Sequence, residues 1–176
     1  MASIRFSSLR SLIQRLREEK KQKFNRFVPI GDLLSDRWEN AKDYGFGEGS
    51  NCYDNVIVIG DVKVGKNVWI GPNVILDGSG AGLEIGNHCS ISAGVQIYNH
   101  DTVRWSTSLG KAPVNTAKIP TRIGQGVYIG PQCVLQQGIN IGEMSIIGTN
   151  SFVNCDIPAN VKAWGTPARI IGPATD

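Results

Sequence analysis

Residues 123–153, IGQGVYIGPQCVLQQGINIGEMSIIGTNSFV, place an aliphatic side chain at every sixth position: Ile123, Ile129, Leu135, Ile141, Ile147 and Val153. Glycine follows the aliphatic residue at 124, 130, 142 and 148, and a residue of modest size stands four places on at Val127, Cys133, Ser145 and Ser151. A helix repeats every ~3.6 residues and a half-buried strand every ~2, so neither generates this period. One inward aliphatic residue and one corner per hexad mark a parallel β-helix with short flat faces. Outward from this stretch the same period runs through Val58, Val64, Ile70 and Leu76, and through Ile85, Ile91 and Ile97. It can be traced back through Cys52 to Phe46-Gly47.

Three hexads make one coil, and reading in threes starts coils at Phe46, Val64, Ile85, Ile123 and Ile141, with a partial coil from Ala159. At roughly 4.8 Å per coil, about six coils build a prism roughly 29 Å long with the aliphatic residues stacked inside. The count breaks twice. The hexad from Leu76 has nine residues, LDGSGAGLE, and about twenty extra residues are inserted between the hexad that starts at Ile97 and the next at Ile123. Both breaks fall in the third hexad of successive coils, hence on one edge of the prism. A long loop in a regular solenoid marks function or disorder. This one, about 100–121, carries Trp105, Pro113 and Pro120, with His100 at its start.

The chain has 176 residues and a formal net charge of +3, unevenly spread. Residues 1–27 hold eight Lys/Arg against Glu18 and Glu19, a balance of +6 that leaves −3 for the remainder. Phe6, Leu9, Ile13 and Leu16 give residues 4–20 the spacing of an amphipathic helix. Packing on the β-helix or on a neighbouring subunit is the simpler role for it, while its basic face leaves weak contact of residues 4–27 with an anionic membrane surface open. Residues 28–45 read as a connector. The expected organisation is residues 1–45 as basic helix and connector, 46–172 as the β-helix domain and 173–176 as a tail. No apolar run approaches the ~20 residues that span a bilayer, and there is no signal-peptide pattern, so a cytoplasmic location is expected. Cys52, Cys89, Cys133 and Cys155 form no C-x-x-C pair and fit small buried slots better than zinc or redox chemistry.

These residues resemble a known family, the hexapeptide-repeat acyltransferases. The resemblance rests on IGDVKVGKNVWIGPNVIL (59–76), GNHCSISAGVQIYNHD (86–101), the run from Ile123 to Val161 and the closing WGTPARIIG (164–172). Within the family the chain is most similar to small sugar O-acetyltransferases, including those of surface polysaccharide pathways. The resemblance implies an all-β, left-handed parallel β-helix with an N-terminal amphipathic helix and one protruding loop. It also implies a homotrimer with sites between subunits, acetyl-CoA as cosubstrate, a sugar or nucleotide-sugar acceptor, and no nucleic-acid partner.

Acetyl transfer to a hydroxyl needs a base, and histidine suits that task near neutral pH. Of the two histidines, His88 lies in the regular hexad IGNHCS as a corner residue, whereas His100 stands where the resemblance puts the catalytic histidine. Asn99 or Asp101 is a candidate to orient its imidazole, Asp101 being equally suited to holding the loop. The family's coenzyme site carries over to Gly130, Pro131, Gly148, Thr149, Asn154, Gly165, Pro167 and Arg169, with Lys162 and Arg169 as phosphate partners. Two positions depart from the family pattern: Cys155 stands where Lys is frequent and Gly172 where a basic residue is. Asp77, in the bulge, is a candidate for binding acceptor hydroxyls, its alternative being an Asx turn. Trp105 is a candidate for stacking on a sugar, its alternative being to anchor the loop. No metal is expected, because a zinc enzyme on this architecture would need three histidines. N-acetylation of an amino sugar is the rival reaction, and a non-catalytic β-helix scaffold the rival class.

Overall fold

The computed structural model of the chain describes residues 2–116 and 118–175. From Phe46 onward the backbone winds as a parallel β-helix whose two-residue strands stack in three ladders. Cys52, Ile70, Ile91, Ile129, Ile147 and Ala163 point inward along the first face, paired in parallel register. Val58, Leu76, Ile97, Leu135 and Val153 line the second. Val64, Ile85, Ile123, Ile141 and Ile157 line the third. The two residues of each strand point to opposite sides, so one aliphatic residue per hexad enters the interior. Burying each of these Leu or Ile side chains contributes about 1.5–3 kcal/mol.

The corners explain the rest of the repeat. Asn67, Asn73, His88, Gln132, Met144 and Asn150, each three places after an inward residue, adopt φ between 55° and 61°. This left-handed region tolerates Asn and His better than most residues. His88 is such a corner, exposed, with its N–H on the Lys66 carbonyl at 2.9 Å. The glycines that follow inward residues, at 65, 71, 86, 124, 130, 142 and 148, have a separate cause: a Cβ at Gly130 would lie 2.7 Å from the Thr149 nitrogen of the next coil.

The expected coil starts hold from Phe46 to Ile141. The last one shifts: Ile157, not Ala159, pairs with Ile141. The partial coil is also not purely parallel, because Val161–Gly165 turns back on Ala168–Pro173 as an antiparallel hairpin that closes the end of the prism. The Gly-rich bulge is built into a long strand rather than a loop. Ile57–Val64 and Ile75–Ile85 run side by side, and the register jumps from Gly60↔Gly78 to Val62↔Leu83, so the extra residues form a β-bulge. The long insertion leaves the prism as His100–Asp101, which pairs antiparallel with Asn115–Thr116, carries one short helix at Val103–Thr107, and re-enters the coil at Thr121–Ile123.

The N-terminal helix α1 spans Ala2–Phe24 and so passes the end of its apolar stripe; Lys21, Gln22 and Lys23 are good helix formers and carry it on. The connector contains two short helices, α2 (Gly31–Leu34) and α3 (Arg37–Asp43). The latter starts on a capping box in which the Asp36 side chain accepts from the Trp38 and Glu39 N–H groups and Glu39 accepts from the Asp36 N–H. Helix α3 packs on the first strand of the first face. Among the described residues no helix is long and apolar enough to cross a membrane.

Candidate active site

The bulge and the loop meet at the corner between the second and third faces. Ile97 ends a strand of the second face, and the next residues pass the bulge of the preceding coil, whose Asp77 stands one place after Leu76, the residue paired with Ile97. Successive side chains on extended backbone alternate in direction. Asn99 therefore turns inward and is fully buried, while His100 faces outward with its side chain about one-third exposed.

The carboxylate that meets the imidazole is Asp77, and this corrects two expectations. His100 Nδ1 lies 2.5 Å from Asp77 Oδ2 and 3.2 Å from Ser79 Oγ. Asp77 is wholly buried, so it is not placed to receive an acceptor hydroxyl. Its Oδ1 accepts the Ser79 N–H at 2.8 Å, the Asx turn named as its alternative, and its Oδ2 also accepts the Asn99 N–H at 2.8 Å. Burial alone would raise the Asp77 pKa, but hydrogen bonds from Ser79, Asn99 and His100 outweigh it and hold the carboxyl below its ordinary value. An ionised Asp77 favours the tautomer with the proton on Nδ1. Nε2 has no hydrogen bond among the described residues.

Among the described residues no hydrogen bond joins the Asn99 or Asp101 side chain to the ring. Asn99 secures the bulge and the loop's return: its Nδ2 donates to the Gly82 carbonyl at 2.7 Å and its Oδ1 accepts from Thr121 Oγ1 at 2.5 Å. Asp101 holds the loop, accepting from Asn115 Nδ2 at 2.7 Å, the Val103 N–H at 3.0 Å and Gln137 Nε2 at 3.2 Å. Gln137 comes from the next coil at this same corner, and its Oε1 is buried without a partner among the described residues. Trp105 is half exposed on the loop helix, with its indole against Gly110. Val103, Leu109, Val114 and Ile119 of the same loop are also exposed.

The residues carried over for the coenzyme divide between two corners. Asn154 follows Val153 and shares the corner of His100, where it is exposed. Gly130-Pro131 and Gly148-Thr149 stack at the corner between the first and second faces, and the hairpin turn of Gly165 and Pro167 continues that stack. A Cβ on Gly148 would lie 2.6 Å from Trp164 Cβ, so glycine lets the indole lie flat on that corner. Arg169 is exposed with its Nη1 on the Ala168 carbonyl at 2.8 Å, and Lys162 is half-buried on the outward side of the first face. Cys52, Cys89 and Cys133 fill interior slots as expected, burial raising the Cys52 thiol to about 12, whereas Cys155 is exposed. Among the described residues no cluster of His, Cys, Asp and Glu suits a metal ion.

Ser79, Thr121 and Gln137 did not emerge from the sequence. Ser79 carried one usable signal, its place two residues after an aspartate in a glycine-rich turn. Thr121 and Gln137 reach the site through coil stacking alone.

Residues 61–99 and 120–161 match the family model described as the hexapeptide repeat of succinyl-transferase. A galactoside O-acetyltransferase of Escherichia coli is 31% identical over 131 residues, 64% of this chain and 64% of that protein. A putative acetyltransferase of Saccharomyces cerevisiae is 34% identical over 175 residues, covering 92% of this chain and 84% of its own length. Among solved structures, a maltose O-acetyltransferase from Clostridium difficile superposes with a TM-score of 0.69 at 27% identity, covering 94% of this chain and 89% of that one. The chain belongs to the hexapeptide-repeat acyltransferases.

Proposed function

We propose that the protein is an acetyltransferase that moves an acetyl group from acetyl-coenzyme A to a sugar hydroxyl, with His100 as general base and no acyl-enzyme. The observation that carries this reading is the imidazole at the broken corner, its Nδ1 committed to buried Asp77 and its Nε2 open. Nε2 takes the proton of the acceptor hydroxyl while the oxygen attacks the thioester carbonyl carbon. The tetrahedral oxyanion collapses, the C–S bond breaks, and the imidazolium returns the proton to the departing thiolate, giving the ester and the free thiol. Asp77 stabilises the transient imidazolium and keeps the ring in the productive tautomer. Ser79 is not assigned as a nucleophile: in the tautomer that pairs with an ionised Asp77, the ring nitrogen beside it already carries a proton and does not accept another.

A sugar acceptor is supported by what two of the relatives are named for, galactoside and maltose O-acetylation. In place of Asp77, the orphan Oε1 of Gln137 and the half-exposed Trp105 are the groups at hand for an acceptor hydroxyl and a sugar face. A homotrimer with sites between subunits agrees with the geometry in one respect: His100 and the Gly130/Gly148 stack occupy different corners of one prism. A neighbouring copy that brings its glycine corner against His100 would complete the groove, covering the exposed loop residues Val103 and Leu109 and the outward Ile57 and Ile59 of the second face. In that groove Lys162 and Arg169 meet the coenzyme's phosphates.

The reading is tested by thiol release from acetyl-coenzyme A against a panel of free sugars, nucleotide sugars and amines, with product mass recorded. A sugar ester is the expected product. An amide formed faster than any ester would move the reaction to N-acetylation, and absence of coenzyme A binding would leave the scaffold reading.

A further inference from the structure

We propose that the N-terminal helix and the start of the connector dock the protein on an anionic lipid surface. Charge is the first observation. Residues 1–27 carry eight cationic side chains against two anionic ones, while the rest of the chain is net negative at −3. Opposite signs on two parts of one molecule give it a definite face to present to a negative surface.

The second observation is where the apolar groups stand. Leu9 is 51% exposed, Phe24 52% and Phe27 77%. The rings lie among ammonium groups: Lys20 and Lys23 sit 5.8 and 5.1 Å from the Phe24 centroid, and Lys21 sits 5.7 Å from that of Phe27. Aromatic rings at the level of the head groups, flanked by lysines whose stems lie along apolar surface, are the arrangement by which a peripheral helix holds a bilayer interface. A second copy of the chain is the competing occupant, because its remainder is net negative too, and the vesicle test separates the two.

The third observation is position. The segment packs on α2, and α3 just beyond it is tied to the first face of the prism, where the Arg37 guanidinium lies 5.0 Å from the Tyr53 ring and 5.1 Å from the Trp69 ring. In a three-faced prism this face lies opposite the corner between the other two, which is the corner of His100. Helix α3 sits at the first-coil end of this face and Lys162 in its last parallel strand, so a membrane bound at the α3 end leaves both the phosphate partner and the reactive corner of the same chain open to solvent.

The test is co-sedimentation of the full chain with vesicles of phosphatidylcholine containing phosphatidylserine, and with vesicles of phosphatidylcholine alone. Binding is expected only to the former and is expected to weaken with added salt. Lys21→Glu and Lys23→Glu should each weaken it by about fivefold or more, and Phe24→Ser with Phe27→Ser by about tenfold. Thiol release with a soluble acceptor should stay unchanged in all four substitutions, which separates failure of this proposal from failure of the catalytic one. Equal binding to both vesicle types, or none to either, would overturn it. So would a Phe24→Ser/Phe27→Ser variant that sheds oligomer mass yet binds vesicles as before, since the patch would then belong to a second copy.

Discussion

The unbroken coils from Ile123 to Val153 and the broken corner around His100 are made from the same hexads, yet they use burial in opposite ways. In the regular coils the interior is aliphatic, and each polar group that enters it, such as Ser145 or Ser151, bonds to the backbone of its own or the next coil. At the broken corner Asp77, Asn99 and Thr121 are all fully buried, and they bond to one another or to the bulge. The regular region is held by many weak and replaceable contacts. At the corner, a few directional bonds fix one ring, and removing a partner leaves a buried group unsatisfied. Turnover should therefore respond to the second region and not to the first.

Asp77→Asn should sharpen this contrast most. The variant keeps the shape of the carboxylate but not its charge, so Nδ1 loses its anionic acceptor and kcat should fall about a hundredfold or more, measured by thiol release. KM for either substrate should change little, because Asp77 touches neither. Leu135→Ala is the complementary probe in the regular coils. It empties a fully buried site and should cost about 2–5 kcal/mol in denaturant melts, with turnover per folded molecule unchanged. If Leu135→Ala lowered kcat in proportion to stability, the two regions would not be separable.

Asp101→Ala lies between them. It releases Asn115, Gln137 and the start of the loop helix, so KM for the acceptor should rise about tenfold while Asp77 and His100 keep their contact. The smallest effect concerns pH. The Asp77 carboxyl has a folded pKa below its unfolded one, so its contribution to stability is present above the ordinary carboxylate value of about 4 and is lost as pH falls through the lower folded value. The gap in melting temperature between wild type and Asp77→Asn should shrink as the solution becomes more acidic than about pH 4. A constant gap down to the acid limit would show that Asp77 stabilises without its charge.

The sequence showed how the coils stack because one inward residue per hexad sets the register, and residues such as Ile91 and Ile129 align once the hexads are counted. The same counting located both interruptions and brought the bulge to His100. It did not tell which residue meets the ring. Asn99 and Asp101 were the natural candidates by adjacency, but neighbours of an outward residue point away from it, and the true partner comes from another coil. The jump between Gly60↔Gly78 and Val62↔Leu83 that accompanies the bulge beyond Asp77 has no periodic signature. The shift of the last coil to Ile157 escaped for a related reason, since Asp156 and Pro158 interrupt the hexad there. The length of α1 escaped because propensity, not the apolar stripe, carries it to Phe24.

The most direct test of a base at the broken corner is the rate of thiol release from acetyl-coenzyme A by His100→Ala beside the wild type, with melting curves of both. His100 is partly exposed and outside the aliphatic interior, so the melting temperature should hold while kcat drops about 10²–10⁴-fold. A His100→Ala protein that melts like the wild type and turns over at its full rate would contradict the assignment.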